Sequence, residues 1–472
     1  MEQLPQHHIS LFKTISKAGY ECGQPVYVIG GYVRDYFLDR LDKEPDIDFV
    51  TVGSGIKLAK KVAELLKVKN VSTFKRFGTA HLRYKKFDLE FVGARTESYD
   101  SDSRKPFVEK GTLEDDQMRR DFTINAMSFS LNDENFGVLV DPFEGLSDLR
   151  AGIIRTPIDA ARTFSDDPLR MMRGIRFATE LDFTIAPETL KGIQDSAERI
   201  KIISQERITE ELNKIIAAPV PSKGFTYLFH TGLLKHIFPE LENLHGVEVR
   251  QGISHKDNFW HTLQVLDNVA EVSDDLWLRW AALLHDIAKP PTKRFSEDTG
   301  WTFHGHDALG AKWVKKIFRK LSLPMDERMR YVQKLVRLHL RPIALVDEVV
   351  TDSAIRRLIV EAGDALDDLM VLCRADITSR NDKKVKRFLK NFDKVEEKIE
   401  EVAEKDRLRN WQPPIDGHII MEALNISEGP EIGKIKKAIE EAILDGKIPN
   451  EYNAAFDYMM EIKDQYLDHE SS

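Results

Sequence analysis

The sequence of 472 residues is poor in cysteine and has no long apolar run. Its two cysteines, Cys22 and Cys373, lie far apart and outside any CxxC motif. This excludes a disulfide framework and a cysteine-bound structural zinc site, and it suits a reducing compartment, so we expect a cytoplasmic protein. A signal peptide and an apolar run near the roughly 20 residues of a membrane span are also missing, so we expect no membrane association.

The charge of the chain has no strong bias. Lysine and arginine together number 69 and aspartate and glutamate 78, which gives a formal net charge of -9 at pH 7. An acidic total argues against a generally basic nucleic-acid binder but leaves room for a local basic channel. The length predicts two to four domains, because a single core stops growing near roughly 250–300 residues.

The first informative stretch is an apolar run, Val26–Ile29, that breaks at Gly30 and Gly31. A helical pattern through Val33 and Phe37 follows, so the stretch predicts a strand, a tight turn and a helix. Backbone amides exposed at such a turn suit a phosphate group. The alternative is an ordinary turn.

Two aspartates, Asp46 and Asp48, accompany the next predicted strand at 47–52. Residues two apart on a strand share a face, so both carboxylates project to the same side. Two hard carboxylates beside a phosphate turn favour Mg²⁺ or Mn²⁺, which can lower the pKa of an attacking hydroxyl and bind the leaving oxygens. The alternative is the solvated face of an edge strand, and the neighbouring glycine turn makes us prefer the metal site.

Residues 1 to about 140 alternate short strands with helices, which predicts a small α/β or α+β head. After the first two strands, the pattern predicts a helix at 55–66 and strands at 79–84 and 87–92. On the last strand, Asp88 and Glu90 share a face. Either could be a third carboxylate near the metals, or both could face solvent.

A polar stretch without periodicity lies at 96–116 and predicts a mobile loop. The run Arg119–Ala126 then predicts the start of a helix that carries two arginines and Asn125. Paired arginines can bind a triphosphate, and Asn125 could contact a ribose or a base. The alternative is an amphipathic helix with a basic first turn, which the helix dipole disfavours.

The next predicted helix carries a carboxylate and three arginines. Residues three apart on a helix are neighbours, so Asp167 and Arg170 form one unit, and Arg173 and Arg176 continue the stripe. A carboxylate beside a guanidinium fits cytosine and adenine, which both place an amino donor next to a ring-nitrogen acceptor, and it rejects the reverse order in uracil and guanine. The alternative is that the aspartate only caps the helix and Arg170 forms a surface ion pair.

The sequence that follows predicts helices throughout and contains a series of histidines and aspartates. A histidine followed directly by an aspartate at the end of an apolar helix offers two metal ligands side by side, and other helices could complete the set. Singly, such histidines are more often core or surface residues. The expected ligands are His261, His285, Asp286 and Asp376, while His306 and His339 would be needed only for a second metal.

The C-terminal part is polar and charged, with a long Lys/Glu helix predicted at 383–406, a break at 411–417 and a helical tail. Gly429 and Gly433, close to lysines, mark a turn and a helix start that could hold an RNA backbone. A solvated helical cap is the simpler alternative, and we prefer it.

Taken in order, these motifs resemble the class II CCA-adding tRNA nucleotidyltransferases, which share their head with bacterial poly(A) polymerases. The resemblance covers about half of the chain, and the second half resembles an HD phosphohydrolase domain, an appendage of some members. One departure is Asp166, where the family more often has glutamate. The matching segments are Gly30–Asp35, Asp46-x-Asp48, Arg119–Ala126, Asp141–Gly145, Asp166–Arg170 and Glu206-Arg207.

This resemblance implies an α+β fold class, with an N-terminal polymerase-β-like nucleotidyltransferase head followed by an all-helical neck, HD body and tail. We expect the head at 1–155 and the neck, with the nucleotide-selecting helix, at 156–220. The helical HD domain is expected at 221–381. A helical tail that could contact tRNA is expected at 382–472.

The resemblance also implies roles for individual residues. Asp46 and Asp48 would carry Mg²⁺ in the head, with Glu90 beside them, and the HD ligands would bind a divalent metal of unspecified identity. The implied nucleotide-binding residues are Gly30, Gly31, Arg34, Arg120, Asn125, Asp167, Arg170, Arg173 and Arg176.

The implied activity is template-independent addition of CCA to the tRNA 3′ end from CTP and ATP. Alternatives within the class are a poly(A) polymerase and an enzyme that adds only CC or only A. The polar segment 98–106 favours the complete activity, because CC-only members are truncated there. An alternative of another class is an HD metal-dependent phosphohydrolase with an RNA-binding head. The expected partners are tRNA, CTP and ATP, and the sequence points to no protein partner.

Overall fold

The computed structural model describes residues 1, 4–41, 45–75, 78–98, 107–347, 351–378, 382–406 and 414–467. The chain forms two compact units, Met1–Glu242 and Asn243–Ser472. Residues 221–242, which we expected in the HD domain, therefore lie in the first unit, and the four-domain division stays a prediction. Within the described ranges, no helix has both the length and the apolar character needed to cross a membrane.

The first unit is built around a seven-stranded sheet with the order β3-β4-β5-β2-β1-β8-β9. Strands β2 and β5 pair in parallel, and the other neighbours are antiparallel. Strands β6 and β7 form a separate hairpin, and β10 pairs with β11. The strands are Val26–Ile29 (β1), Asp46–Thr51 (β2), Ser72–Phe74 (β3), Thr79–Tyr84 (β4), Phe87–Gly93 (β5), Arg95–Ser98 (β6), Phe107–Lys110 (β7), Ser128–Ser130 (β8), Leu139–Val140 (β9), Ile153–Ile154 (β10) and Thr184–Ile185 (β11).

Helices flank this sheet and then continue without it. Short 3₁₀ turns occur at Thr123–Asn125, Asp133–Asn135 and Ala197–Ile202. The helices are Gln6–Cys22 (α1), Gly31–Phe37 (α2), Gly55–Leu66 (α3), Leu113–Met118 (α4), Gly145–Ala151 (α5), Ala160–Asp166 (α6), Leu169–Glu180 (α7), Pro187–Ser196 (α8), Gln205–Ala217 (α9), Pro221–His230 (α10), Leu234–Ile237 (α11) and Pro239–Glu242 (α12).

The core of the first unit follows from the alternation of side chains along β2. Ile47 and Phe49 are buried, with 1% and 0% exposure, so the intervening residue Asp48 points to the other face of the sheet. Phe49 stacks on Phe91 of the parallel neighbour β5, with ring centroids 5.1 Å apart, and meets Phe12 of α1 at 5.9 Å. The prediction that the two aspartates of β2 share a face is therefore consistent with the packing.

Two local predictions from the sequence were wrong. The stretch at 96–116 is not simply a loop, because Arg95–Ser98 pairs with Phe107–Lys110 and helix α4 follows; residues 99–106 lie outside the described part of the chain. Residues 119–126 do not start an α-helix, because α4 ends at Met118, Arg119 caps its C-terminus, and only a 3₁₀ turn follows at Thr123–Asn125. The arginines therefore lie at the negative end of the helix dipole, where cations are favoured.

The second unit consists of helices with two short hairpins that the sequence did not predict, β12 with β13 and β14 with β15. The strands are Val249–Arg250 (β12), Ile253–Ser254 (β13), Arg294–Ser296 (β14) and Gly300–Thr302 (β15). The helices are Asn258–Ala270 (α13), Leu276–Leu284 (α14), Lys289–Thr292 (α15), His306–Lys320 (α16), Glu327–Leu338 (α17), Arg341–Asp347 (α18), Asp352–Ala362 (α19), Leu366–Asp376 (α20), Asp382–Asp406 (α21), Gly417–Leu424 (α22), Pro430–Leu444 (α23) and Tyr452–Ile462 (α24).

Two groups of helices form the apolar interior of this unit. Helices α13, α14, α17 and α20 pack against one another. The last three helices enclose a separate cluster that includes Ile420, Ile435, Ile439 and Met459. The predicted α+β fold class, with a sheet-containing head and helical regions after it, is confirmed.

The first turn of α3 depends on the absence of a side chain at Gly55. A Cβ atom there would lie 2.7 Å from the backbone oxygen of Phe91 and 2.9 Å from the nitrogen of Gly93. Gly55→Ala should therefore lower the free energy of unfolding by about 1–3 kcal/mol, because backbone atoms of a central strand cannot move aside easily. Scanning calorimetry should show at least one unfolding transition shifted to lower temperature.

Gly433→Ala is the matched control. Gly433 lies inside α23, and a Cβ atom there would have nothing within 4 Å among the described residues. Gly433→Ala should leave every unfolding transition at its wild-type temperature or raise the temperature of one, because alanine is a better helix former than glycine by about 1 kcal/mol. Equal effects of the two substitutions would show that the close approach at Gly55 is unimportant.

Candidate active site and metal centre

The glycine turn, Asp48 of β2 and Arg120 meet at the end of β1. Gly30 has φ 84°, and a Cβ atom on it would lie 2.9 Å from Arg120 Nη1 and 3.4 Å from Asp48 Oδ2. A side chain at Gly30 would thus fill the space between a carboxylate and a guanidinium. The Gly30 amide donates to Met127 O at 3.2 Å, so this amide is not a free phosphate donor, contrary to the simplest expectation for the turn.

The carboxylates of β2 and β5 lie side by side. Asp48 is in register with Glu90, and Asp46 with Asp88. Asp88 Oδ1 lies 2.8 Å from His81 Nε2, so Glu90 is the better candidate for the third carboxylate. Burial raises the pKa of Asp48, with Arg120 opposing and Asp46 adding to the shift. Desolvation and the Asp48 charge also raise the pKa of Glu90. A bound cation would offset the repulsion among the charges of Asp46, Asp48 and Glu90.

Asp116 is a residue that the sequence reasoning missed. It is fully buried and receives the guanidinium of Arg119 at 2.5 Å, and its other oxygen lies 3.5 Å from Arg120. The spacing of three and four residues puts both arginines over the same carboxylate. Asp116 therefore orients Arg120 toward Gly30 and Asp48, a role that the spacing could have suggested if α4 had been predicted.

A chain of side-chain hydrogen bonds connects α2 with α7 through a second missed residue, Asp121. Arg34 donates to Asn125 Oδ1 at 2.9 Å, and Asn125 donates to Asp121 Oδ1 at 3.1 Å. The other oxygen of Asp121 accepts from Arg173 at 2.6–2.8 Å. Burial would raise the pKa of Asp121, but Arg173 and the hydrogen bonds lower it to about 2. Three predicted nucleotide-binding residues, Arg34, Asn125 and Arg173, are thus brought together.

Three guanidiniums surround one aromatic ring, Phe177. The centres of the Arg34, Arg173 and Arg176 groups lie 5.1, 5.4 and 4.0 Å from its centroid. Arg176 is also paired with Glu211 of α9 at 2.7 Å and with Glu180 at 3.4 Å. Two carboxylates already bind Arg176, so its contacts favour a structural role over the predicted nucleotide contact.

Asp167 and Arg170, the predicted base-reading pair, make side-chain bonds to other protein groups. Asp167 Oδ1 accepts from the Leu169 amide at 3.1 Å, as the capping alternative expects, and Oδ2 lies 3.4 Å from Arg207. Arg170 donates to Arg119 O at 2.7 Å instead of forming a surface ion pair. Asp167 precedes α7 rather than lying within it, so the two side chains are not stacked by helical spacing.

In the second unit, the four predicted metal ligands converge. His261 Nε2 lies 3.5 Å from Asp286 Oδ2 and 2.9 Å from Asp376 Oδ1. His285 Nε2 lies 3.2 Å and 3.7 Å from the same two oxygens. His285 is fully buried, and its Nε2 has no hydrogen-bond partner among the described residues. This geometry suits a metal ion surrounded by two imidazoles and two carboxylates.

Charged neighbours set the protonation of this centre. Burial would raise the pKa of Asp286, but His285 and Lys289, whose Nζ lies 2.5 Å from Oδ2, hold it well below its usual range. Burial would likewise raise the pKa of Asp376, but His261 and His285 together lower this pKa below its usual range. Burial and the charge on His285 lower the pKa of His339 to about 4. Both carboxylates and His339 are therefore in metal-binding protonation states at neutral pH.

The low pKa of Asp121 makes a testable contribution to acid stability. Its folded value of about 2 lies below the ordinary value of about 3.9, so Asp121 stabilises the fold above pH 4, and this contribution of about 2 kcal/mol is lost as the pH falls toward 2. The difference in unfolding free energy between the wild type and Asp121→Asn should narrow by that amount between pH 5 and pH 2, measured by urea denaturation. A difference independent of pH would contradict this assignment.

Three protein-family models match the chain. The poly A polymerase head domain matches residues 26–155, and a domain described as the probable RNA and SrmB-binding site of polymerase A matches residues 182–244. The HD domain matches residues 258–381. The first two matches lie in the first compact unit or end two residues beyond it, and the third lies in the second unit.

Curated relatives cover most of the chain. An A-adding tRNA nucleotidyltransferase of Deinococcus radiodurans is 32% identical over 349 residues, which are 71% of this chain and 76% of the relative. A multifunctional CCA protein of Nitrosococcus oceani is 32% identical over 372 residues, 75% of this chain and 85% of the relative.

Solved structures share the fold. A CCA-adding enzyme in apo form I covers 100% of this chain and 97% of its own, with TM-score 0.65 and 22% identity. The Thermotoga maritima CCA-adding enzyme complexed with tRNA covers 98% of this chain and 97% of its own, with TM-score 0.63 and 22% identity. Through its motifs, its domain matches and these relatives, the chain belongs to the tRNA nucleotidyltransferase and poly(A) polymerase family, in a form that carries an HD domain.

Proposed function

We propose that this protein adds CCA to the 3′ end of tRNA from CTP and ATP, without a nucleic-acid template, and releases pyrophosphate. The observation that carries the proposal is the approach of Gly30, Asp48 and Arg120 at the end of β1, with Glu90 beside Asp48. The relatives named for tRNA nucleotidyl transfer support the same reaction. The tRNA substrate and the low cysteine content support a cytoplasmic location.

The head residues fit Mg²⁺ as the metal. Asp46, Asp48 and Glu90 offer only carboxylate oxygens, which are the ligands that hard divalent cations prefer. When bound, the metal would lower the pKa of the terminal tRNA hydroxyl and stabilise the charge on the leaving pyrophosphate. Arg120 would bind the triphosphate, because Asp116 already orients its guanidinium toward Gly30.

The nucleotide would be positioned by the bonded chain that runs through Asp121. Arg34 and Arg173 present cationic groups, and Asn125 lies between them with both of its amide atoms in hydrogen bonds. A bound triphosphate would meet groups whose orientations are already fixed, so little side-chain entropy would be lost on binding. Asn125 would contact the sugar by exchanging one of its two hydrogen bonds, to Arg34 or to Asp121, for a bond to the nucleotide.

Selection of C and A would come from Asp167 and Arg170. Their carboxylate and guanidinium supply an acceptor and donors for the pairing edges that cytosine and adenine share. Arg207 contacts the carboxylate of Asp167, and the Arg119 carbonyl accepts a hydrogen bond from Arg170. Each side chain is therefore held in place by a neighbouring protein group. These contacts would have to reorient partly toward a base when a nucleotide enters.

A specialist that adds only the terminal A is the second candidate. The Deinococcus radiodurans relative carries that name, as does an Aquifex aeolicus protein that is 41% identical over 192 residues, 39% of this chain and 22% of that protein. The segment at 99–106, on which the preference for complete addition depends, lies outside the described residues. Complete addition is the proposal, and the incorporation assay decides between the two.

The second unit would carry a separate activity, metal-dependent hydrolysis of a phosphate ester. The observation that favours it is the convergence of His261, His285, Asp286 and Asp376 on one point, with Nε2 of His285 buried and unpartnered among the described residues. A phosphatase and a 2′,3′-cyclic phosphodiesterase are both compatible with this ligand set.

Incubation with tRNA lacking its terminal CCA tests the main proposal. With labelled CTP and then ATP, the wild type should extend the tRNA by C, C and A and stop. Incorporation of A alone onto tRNA ending in CC would establish the A-adding candidate instead. Long A tails on unrelated RNA would establish a poly(A) polymerase and overturn the proposal.

Two head variants separate chemistry from nucleotide choice. Asp48→Asn should lower transfer at least a thousandfold, because it removes a charged metal ligand. Asp167→Ala should keep transfer but raise incorporation of UTP or GTP relative to CTP or ATP about tenfold, the equivalent of one lost hydrogen bond of about 1.5 kcal/mol. Asp195→Ala, an exposed aspartate of α8, is the control. Unchanged selectivity in Asp167→Ala would remove the base-reading role.

A variant of the HD centre tests its independence. Asp286→Asn should abolish metal-dependent hydrolysis of p-nitrophenyl phosphate and of 2′,3′-cyclic AMP while nucleotide incorporation stays at the wild-type rate. Asp298→Asn, an exposed aspartate between β14 and β15, should change neither activity. Loss of both activities in Asp286→Asn would show that the two centres are not independent.

A further inference from the structure

A histidine and a tyrosine form a buried hydrogen bond behind the glycine turn. His8 Nδ1 of α1 lies 2.6 Å from the hydroxyl oxygen of Tyr32, the second residue of α2. The two residues are only 3% and 4% exposed. Their rings have aromatic neighbours, with centroid distances of 4.9 Å from His8 to Phe87 and 5.5 Å from Tyr32 to Phe12. Breaking the bond would therefore leave two polar atoms buried among apolar groups, which is unfavourable.

Burial keeps both members of this pair uncharged. It lowers the pKa of His8 to about 4, and the charges of His7 and Lys86 add to that shift. Burial also raises the pKa of Tyr32 above its ordinary value. A hydroxyl group both donates and accepts, so the bond forms with either tautomer of the neutral imidazole. At neutral pH the pair is therefore an uncharged, directional contact.

Helix α2 is short and has few buried side chains to hold it in place. Of its seven residues, only Tyr32 and Val33 are buried. Residues two apart on a helix are about 200° apart around its axis, so Tyr32 faces the core while Arg34 faces away from it, toward Asn125. The hydrogen bond to Tyr32 thus sets the rotation of the helix that carries Arg34.

Helix α1 contacts both of the elements that form the candidate active site. Phe12 meets Tyr32 of α2 at 5.5 Å and Phe49 of β2 at 5.9 Å, edge to face in both cases. Phe49 directly follows Asp48. Aromatic pairs are favourable over centroid distances of about 4.5–7 Å, whereas a hydrogen bond requires a narrow range of distance and angle. The bond from His8 is therefore the contact that fixes α2 most closely.

The glycine turn has little room to shift. A Cβ atom on Gly30 would lie 2.9 Å from Arg120 Nη1 and 3.4 Å from Asp48 Oδ2. A displacement of about 1 Å at a binding site can lower a rate about a hundredfold. The turn therefore needs support from behind, and α1 supplies it from outside the head-domain match, which begins at residue 26.

We propose that His8 and Tyr32 are positioning residues for the incoming nucleotide. The inference rests on the proposed function, in which Arg34 and Arg120 bind that nucleotide. The pair acts through α2, because it holds the glycine turn and Arg34 at a fixed distance from Asp48. Its loss weakens nucleotide binding equally in the ground state and the transition state, which raises KM for CTP and ATP and leaves kcat unchanged.

Steady-state incorporation into tRNA that lacks CCA, or that ends in CC, tests the pair. Tyr32→Phe removes only the hydroxyl oxygen and keeps the ring. KM for CTP and for ATP should rise about tenfold, the effect of one lost hydrogen bond, while kcat and the KM for tRNA stay at the wild-type values. Tyr36→Phe is the matched control, because it removes a hydroxyl from the same helix while its ring still packs on Phe129. It should change none of these values.

Two substitutions of His8 separate the hydrogen bond from the packing. His8→Leu and His8→Asn both delete the ring, but asparagine keeps a polar atom near the position of Nδ1. The nucleotide KM of His8→Leu should match that of Tyr32→Phe, and that of His8→Asn should lie nearer the wild type. Combining His8→Leu with Tyr32→Phe should raise KM no further than either single change, because both remove the same bond.

An unchanged nucleotide KM in Tyr32→Phe would overturn the inference. An equal rise in the KM for tRNA would also overturn it, since general loosening of the fold affects both substrates. Failure of the wild type to incorporate any nucleotide would instead overturn the proposed function. Calorimetric titration with ATP and Mg²⁺ then decides the positioning role: a tenfold weaker Kd in Tyr32→Phe supports it, while an equal Kd, or no binding by the wild type, overturns it.

Discussion

The ion pair between the buried Asp121 and the partly exposed Arg173 is the interaction on which the candidate nucleotide site depends. It joins the segment after α4 to helix α7, and Asn125 extends it to Arg34 of the glycine turn. Removing the charge of Arg173 would leave the buried carboxylate of Asp121 without a cation, and breaking a buried ion pair in this way costs several kcal/mol in typical proteins. The pair therefore fixes the distance between the glycine turn and helix α7, which carries Arg170.

The sequence alone was sufficient where a short pattern decides the structure. Alternation along β2 located Asp48, and the histidine-aspartate pair at the end of an apolar helix located the HD centre, because period-two and helix-end signals are local. Asp116 was missed because α4, whose spacing brings Arg119 and Arg120 to it, was not predicted. Asp121 was missed because tertiary packing brings its partner Arg173 near. Strands β6 and β7 were missed because they are short and, within the described part of the chain, pair only with each other. Arg170 was assigned to Asp167 by spacing, whereas a distant backbone carbonyl binds it.

The two units carry carboxylate centres of contrasting chemistry. In the head, Asp46, Asp48 and Glu90 offer carboxylate oxygens on the adjacent interior strands β2 and β5, and burial raises the pKa values of Asp48 and Glu90. In the HD centre, the imidazoles of His261 and His285 lie beside Asp286, and His285 and Lys289 hold the pKa of Asp286 well below its usual range. The head therefore offers only carboxylate oxygens, whereas the HD centre combines carboxylates with imidazole nitrogens, and these two donor sets rank hard and borderline metals differently.

The ring of Phe177 has a further consequence for the response of the enzyme to salt. Three guanidiniums lie around a ring that is 5% exposed, and that ring keeps water and counter-ions away from one side of each group. Charges on an open surface lose most of their influence beyond about 8 Å at physiological ionic strength, but partly buried charges are screened much less. Under the proposed function, attraction of a triphosphate to Arg34 and Arg173 should therefore persist at salt concentrations that weaken the contacts of surface lysines with an RNA backbone.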